Sequence, residues 1–146
     1  MKKLITTIAV GALLVLPSVL SAGQAKGLNV LINSANPQTQ AMAMVLSLMS
    51  IQKHNKEVTI VLCGEAGDLA DKNITSTPIK RPNGQSPTPQ QNLVMLIKLG
   101  AKVEVCPLYL PNASKDASVL LEGVTVAQPP VVAGRLLDEE YKNLTF

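Results

Sequence analysis

The sequence predicts a single α/β domain, a layered sandwich around a mostly parallel sheet of about five strands. Two observations indicate this fold class. Short runs rich in Val, Ile and Leu alternate along the chain with longer segments whose apolar residues recur every three or four positions. The first of these runs are joined by short connections, and strand–helix–strand units with short connections build parallel sheets.

We predict that residues 1–25 are a secretory signal peptide. Lys2 and Lys3 precede an uncharged apolar run over residues 4–20, and small residues follow where a cleavage after Ala25 requires them. Residues 26–146 would then form the mature domain in the periplasm. The alternative is an uncleaved leader, which would anchor the domain to the membrane, although the run is at the short end for a spanning helix.

The first half of the mature chain predicts a strand, a helix and a second strand. Residues 27–34 form a short apolar run. Pro37 opens a helix that continues to Asn55 with one apolar face, and a proline costs little in a first helical turn. The second strand covers residues 57–62 and ends at Cys63.

The middle of the chain predicts a pause in the sheet and then another helix. Residues 68–73 are expected to form a short helical turn, and the proline-rich residues 73–88 a long surface loop. Thr88 and Gln91 have the spacing of a capping box. They begin a helix that ends at Gly100, a residue suited to a C-terminal cap.

The C-terminal part returns to alternating short elements. A strand over residues 102–106 is halted by Pro107. The remaining predicted elements are a helix over 114–121, a strand over 124–127, a helix over 129–137 and an edge strand over 141–146.

The composition argues against nucleic acid as a partner. The chain carries 13 Lys and Arg against 10 Asp and Glu, and two of the lysines lie in the leader. The aromatic residues are Tyr109, Tyr141 and Phe146, with no Trp. The mature domain therefore lacks both the basic surface and the stacking residues of a nucleic-acid binder.

We expect no cofactor and no bound metal. Residues 33–36, which follow the first strand, contain no glycine, whereas dinucleotide and P-loop sites need glycines there. His54 is the only histidine and is expected to be a solvated residue at the end of the first helix. Glu65, Asp68 and Asp71 form an acidic loop edge without the spacing of a known metal site.

Cys63 and Cys106 are the residues best placed for chemistry. Each follows a predicted strand, and the carboxyl ends of strands are where ligands and catalytic groups gather in α/β sheets. Their spacing leaves three interpretations open. The two residues are small buried apolar groups, or they form a disulfide as cysteines of exported chains often do, or Cys106 is a reactive thiol at the mouth of a pocket.

The sequence around Cys106 resembles the DsrE/DsrF-like family. Residues 100–110, Gly-Ala-Lys-Val-Glu-Val-Cys-Pro-Leu-Tyr-Leu, are similar to the strand that carries the cysteine of that family. Residues 84–93 resemble a helix start of the family, and residues 120–126, Leu-Leu-Glu-Gly-Val-Thr-Val, resemble the segment before its closing elements. The resemblance extends over nearly all of the mature chain and is strongest to exported members.

This resemblance implies a flavodoxin-like three-layer fold that assembles into a homotrimer or homohexamer. It also implies that Cys106 carries sulfane sulfur as a persulfide between a donor and an acceptor protein, so that the chain is at most a sulfurtransferase-like carrier. The alternative is a non-catalytic homo-oligomeric binding module. In that case Cys106 is only a packing or disulfide-bonded residue.

The chain departs from the family pattern directly after Cys106. Many exported relatives have a second cysteine in a Cys-Pro-x-Cys motif, and Tyr109 stands at that position here. Only Cys63 is then left as a distant resolving thiol, while Tyr109 is expected to pack beside the pocket. Lys80 and Arg81 are candidates for holding an anionic substrate such as a sulfur oxyanion over Cys106, the alternative being a solvated pair in the long loop.

Overall fold

Five parallel strands form the sheet at the centre of the computed structural model, which describes residues 24–146. The sheet has the order β4-β3-β2-β1-β5, and all neighbouring strands are parallel. The predicted α/β class is thereby confirmed. Apart from its last two residues, the predicted signal peptide lies outside the described residues. The strands are β1 Gly27–Ile32, β2 Glu57–Leu62, β3 Lys102–Val105, β4 Val124–Val126 and β5 Tyr141–Thr145.

Helices cover both faces of the sheet. The chain crosses the sheet in one direction from β1 to β4 and returns to place β5 beside β1, so right-handed connections put the last helix on the opposite face from the earlier ones. This order differs from the 2-1-3-4-5 order of flavodoxin itself but keeps the three layers. The helices are α1 Pro37–His54, α2 Pro89–Lys98, α3 Tyr109–Asn112 and α4 Pro129–Leu136, with 3-10 segments at Gly64–Ala70 and Ala117–Val119.

The main core lies between the sheet and the layer of α1 and α2. Alternate residues of β1, β2 and β3 point into it, because successive strand residues face opposite sides. Both long helices begin as their sequences predict. Asn36 Oδ1 accepts hydrogen bonds from two N–H groups of α1, and Thr88 and Gln91 form the predicted capping box. The buried residues of this core include Val30, Ile32, Ile60, Leu62, Val103, Val105, Met44, Leu93 and Leu96.

Helix α4 lies on the opposite face of the sheet and contributes no fully buried residue. Polar groups connect it to the sheet. The Arg135 guanidinium pairs with the Glu104 carboxylate, whose side chain is only 6% exposed. Lys102 Nζ lies 3.0 Å from the other oxygen of the same carboxylate. Asn29 Nδ2 donates to the backbone oxygen of Arg135 at 2.7 Å.

None of the helices in residues 24–146 has the length and apolarity that crossing a bilayer requires.

Two short predicted elements differ from the observed ones. The helix predicted over residues 114–121 is wrong, because Ser114 has a left-handed φ of 53° that interrupts any helix there. Helical structure instead occurs before it, in α3, and after it, where Asp116 caps only a 3-10 turn. The helical turn predicted over 68–73 begins earlier, at Gly64. Residues 73–88 form no helix or strand, as predicted.

Candidate functional site

The carboxyl ends of β2 and β3 bring Cys63 and Cys106 next to each other. Leu62 and Val105 are register partners, so the two cysteines occupy the next position of the register. The N–H of Cys106 donates to the Leu62 oxygen at 2.8 Å, which keeps the two chains paired up to the cysteines. Neighbouring strands lie about 4.8 Å apart. That spacing is within the range of about 4.4–6.8 Å between Cα atoms that a disulfide spans.

The local sequence directs both thiols to one face and then leads the chain away. Cys63 lies two residues after Val61, and both residues line a groove beside α4 together with Cys106. Gly64 follows with a φ of 54°, a left-handed conformation that glycine adopts without strain. Pro107 ends the ladder after Cys106, because it has no N–H to donate. Each cysteine is therefore the last residue before a turn.

Both cysteines are free, half-buried thiols on the wall between two cavities. The first cavity, called the thiol cleft below, has a volume of about 510 Å³, a size suited to a small molecule or an extended side chain. The second is the groove beside α4, of about 400 Å³. Besides the cysteines, the thiol cleft is lined by Gly64, Glu65, Asp68, Leu108, Tyr109, Asn112 and Ala113.

The environment of Cys63 keeps its thiol protonated. Burial raises the pKa of Cys63 to about 11, and the charge and hydrogen bond of the neighbouring Cys106 act in the same direction. At neutral pH, Cys63 is thus a neutral S–H group next to Cys106. A thiolate at Cys106 would accept a hydrogen bond from it.

Tyr109 forms one wall of the thiol cleft, as the sequence predicts. Its ring is 8% exposed and packs directly over Gly67, where a Cβ would overlap the ring. The Tyr109 hydroxyl donates to Asp68 Oδ1 at 2.8 Å. Burial raises the pKa of this phenol, so it remains protonated and continues to donate.

Lys115 ties this wall to the rest of the fold. Its ammonium donates to the Tyr109 hydroxyl at 3.0 Å and lies 2.8 Å from Asp71 Oδ2. The hydrogen bonds with Asp71 and then Tyr109 raise the pKa of Lys115. Burial alone would raise the pKa of Asp71, but the hydrogen bonds from Lys115 and the N–H of Asn73 outweigh it and lower that pKa. Sequence reasoning missed Lys115, which nothing in its local pattern distinguishes from a solvated lysine.

Lys80 and Arg81 do not line the thiol cleft. The Arg81 guanidinium donates to Asn92 Oδ1 at 2.9 Å, near the start of α2, and Lys80 is exposed in the long loop. The charged side chains that line the cleft are instead the carboxylates of Glu65 and Asp68. Lys115 lies 3.9 Å from the Asp68 carboxylate and offsets part of its charge. The structure therefore brings Cys63, Cys106 and Tyr109 together, and leaves the two loop cations apart from them.

No group of three or more His, Cys, Asp or Glu side chains in residues 24–146 is arranged to hold a metal ion. His54 is exposed in the last turn of α1, where a cation is favourable. The chemistry available at the site is that of the two thiols, the neighbouring carboxylates and one phenol.

The fold is similar to that of two solved structures. One is the ychN protein from E. coli, with a TM-score of 0.64 and 17% identity, covering 82% of this chain and 99% of that one. The other is MTH1491 from Methanobacterium thermoautotrophicum, described as a protein of unknown function, with a TM-score of 0.60, 13% identity, and coverage of 82% and 97%. At these identities the likeness concerns the fold alone. No protein-family model and no curated protein sequence matches the chain.

Proposed function

We propose that this protein is an exported DsrE/DsrF-like protein that handles sulfane sulfur through Cys106. One observation carries the proposal: the Cys106 thiol lines an open cleft at the carboxyl edge of the sheet and has a second, protonated thiol beside it. Such an edge is where α/β folds place their reactive groups. The similarity of residues 100–110 to the cysteine strand of the family supports the same assignment.

The reaction is a thiol exchange. The Cys106 thiolate attacks the outer sulfur of a donor persulfide, R–S–SH, and forms Cys106–S–SH while the donor leaves as a thiolate. Release to an acceptor thiolate is the same reaction in the opposite direction. Neither step needs a metal or a separate base, and the exchange depends on the access and thiolate character of Cys106.

The charge of the cleft selects among sulfur donors. Glu65 and Asp68 line it, and Lys80 and Arg81 do not, so sulfur oxyanions meet like charge near Cys106. We therefore propose uncharged sulfane sulfur, or a persulfide carried on the cysteine of a donor or acceptor protein, as the substrate class. Among residues 24–146, no Lys or Arg side chain lines the thiol cleft.

The test is sulfur loading of residues 26–146 by the persulfide of an uncharged alkyl thiol, followed by intact mass. The wild type should gain about 32 Da per sulfur, and reduction should remove it. Cys106→Ser should not load, whereas Asn33→Ser, at the equivalent edge of β1, should load like the wild type. Loading of Cys106→Ser at the wild-type rate would overturn the proposal.

A homo-oligomeric binding module is the second candidate function, and the groove beside α4 favours it. This groove of about 400 Å³ is lined almost entirely by apolar side chains, among them Val132, Leu136 and Leu108. A second copy of the chain is the occupant that the family resemblance suggests. In this case Cys106 is only a packing or disulfide-bonded residue. Oligomerisation itself is compatible with both candidates, because a carrier can also be an oligomer.

A further inference from the structure

The register of β2 and β3 makes Cys63 the partner of Cys106 in space, although the two are far apart in sequence. The two residues are adjacent at the same edge, and both line the thiol cleft and the groove beside α4. The motif position where exported relatives often have a second cysteine is filled by Tyr109. This phenol is engaged with Asp68 and Lys115 and carries no thiol chemistry.

We propose that Cys63 is a resolving thiol, which discharges the sulfur held on Cys106 as sulfide and forms a Cys63–Cys106 disulfide. The inference rests on the proposed function, since it requires Cys106 to be loaded first. It differs from simple sulfur relay in its product. A relay passes the sulfane sulfur to another thiol, whereas this reaction reduces it.

The atoms and electrons of this step balance between the two cysteines and the outer sulfur. Cys63 Sγ attacks Cys106 Sγ, the bond between Cys106 Sγ and the outer sulfur breaks, and the outer sulfur leaves as HS⁻. Starting from the persulfide anion, the proton of the Cys63 thiol moves to the departing sulfur. The sulfane sulfur gains two electrons, and the two cysteines lose them in becoming a disulfide. A reducing dithiol is then needed to restore the two thiols for another cycle.

The register of β2 and β3 places Cys63 beside Cys106, which allows attack on Cys106 Sγ. The usual spacing of neighbouring strands, about 4.8 Å, is within the range of Cα distances that disulfides span. Because Cys63 is protonated at neutral pH, it is a slow nucleophile until its proton is removed. The persulfide anion beside it is a base that can take that proton and then depart with it. Discharge should therefore be slower than loading.

The experiment follows intact mass and released sulfide over time in the mature chain after one exposure to an organic persulfide and removal of the excess. In the wild type, the adduct of about 32 Da should decay to a species about 2 Da lighter than the reduced protein, with sulfide released. In Cys63→Ser the adduct should persist at least tenfold longer, with no sulfide. Cys63→Ala provides a second variant if the serine perturbs folding, and Asn33→Ser should behave as the wild type.

The outcomes separate the two proposals. An adduct equally persistent in the wild type and in Cys63→Ser would overturn the resolving role and leave sulfur loading intact. Migration of the adduct to the Cys63 peptide, found by fragment mapping, would also overturn it. If neither chain loads at all, the proposed function itself fails and the discharge step fails with it.

Discussion

Cys63 and Cys106 place two thiols at one register position of neighbouring strands. Burial keeps the Cys63 thiol protonated, with a pKa of about 11, beside Cys106 at the edge of the open cleft. The surrounding side chains supply two carboxylates and a phenol. The chemistry of this site is therefore decided by individual residues, and each can be tested by a single substitution.

Glu65 should determine how well anionic donors reach Cys106. It is exposed, lines the thiol cleft and has no ion-pair partner among the described residues. Glu65→Gln should raise the loading rate with thiosulfate about 2–5-fold at low salt, because it removes like charge, and the gain should shrink at high salt. Glu139→Gln, an exposed carboxylate outside the cleft, is the matched control. An equal gain with an uncharged donor would contradict the electrostatic explanation.

Gly67 should be required for the Tyr109 wall. A Cβ at residue 67 would overlap Cγ and Cδ2 of Tyr109, so Gly67→Ala forces the ring to move. We expect the free energy of unfolding to fall by about 1–3 kcal/mol, as overpacked sites usually show. Gly134→Ala, in α4 with open space around the new methyl, should instead add about 0.5–1 kcal/mol. Urea denaturation measures both, and equal effects of the two substitutions would contradict this packing.

At the scale of elements, the 3-10 segment Gly64–Ala70 and α3 form the two sides of the thiol cleft. Asp71 follows the first and Lys115 follows the second, and their ion pair of 2.8 Å joins the two sides. Asp71 is 1% exposed, so the pair also compensates a buried charge. The shape of the cleft thus depends on a contact between segments that are distant in sequence.

This ion pair should make stability dependent on pH in acid. The pKa of Asp71 is lower in the folded chain, so its stabilisation is present above the unfolded value near 3.9 and is lost as pH falls through the folded value. Lys115, with a raised pKa, keeps its contribution until strongly basic pH. Asp71→Asn should lower the free energy of unfolding at pH 7 by about 1–3 kcal/mol and flatten the acid dependence.

Thermal unfolding between pH 2 and 7 measures this effect, with Glu139→Gln as a control that should keep the wild-type profile. If Asp71→Asn retained the full acid dependence of the wild type, the Asp71–Lys115 pair would not be its source.

At the scale of the whole molecule, the parallel α/β class and the longer elements were predictable from the sequence, but α3 and the neighbours of each strand were not. Caps and apolar residues at helical spacing predict α1 and α2, and short apolar runs predict the strands. The pairing of β2 with β3, which makes Cys63 and Cys106 neighbours, depends on long-range packing that no local pattern encodes. The same holds for Lys115, whose partner Asp71 lies on another segment. Lys80 and Arg81 were singled out by charge alone, and charge alone does not fix which surface a loop residue faces.

Assembly belongs to this scale as well. Leu137, the C-cap of α4, is 82% exposed, and Leu136 before it lines the apolar groove. Sedimentation of residues 26–146 should give the mass of a homotrimer or homohexamer, and Leu137→Asp should shift it toward monomer by placing a charge in the apolar contact. Leu99→Asp, an exposed residue following α2 on the other face, should not. A wild-type chain that stays monomeric at all concentrations would contradict this assembly.

The mass of the Cys63→Ser chain, isolated without reductant from the cells that produce it, tests sulfur carriage by Cys106 most directly. With discharge blocked, sulfur taken up in the cell should remain on the protein. We expect an increase of about 32 Da per sulfur, confined to the peptide that contains Cys106 and removed by reduction. An unmodified mass, with the Cys106 thiol fully open to alkylation in this chain and in the wild type, would contradict it.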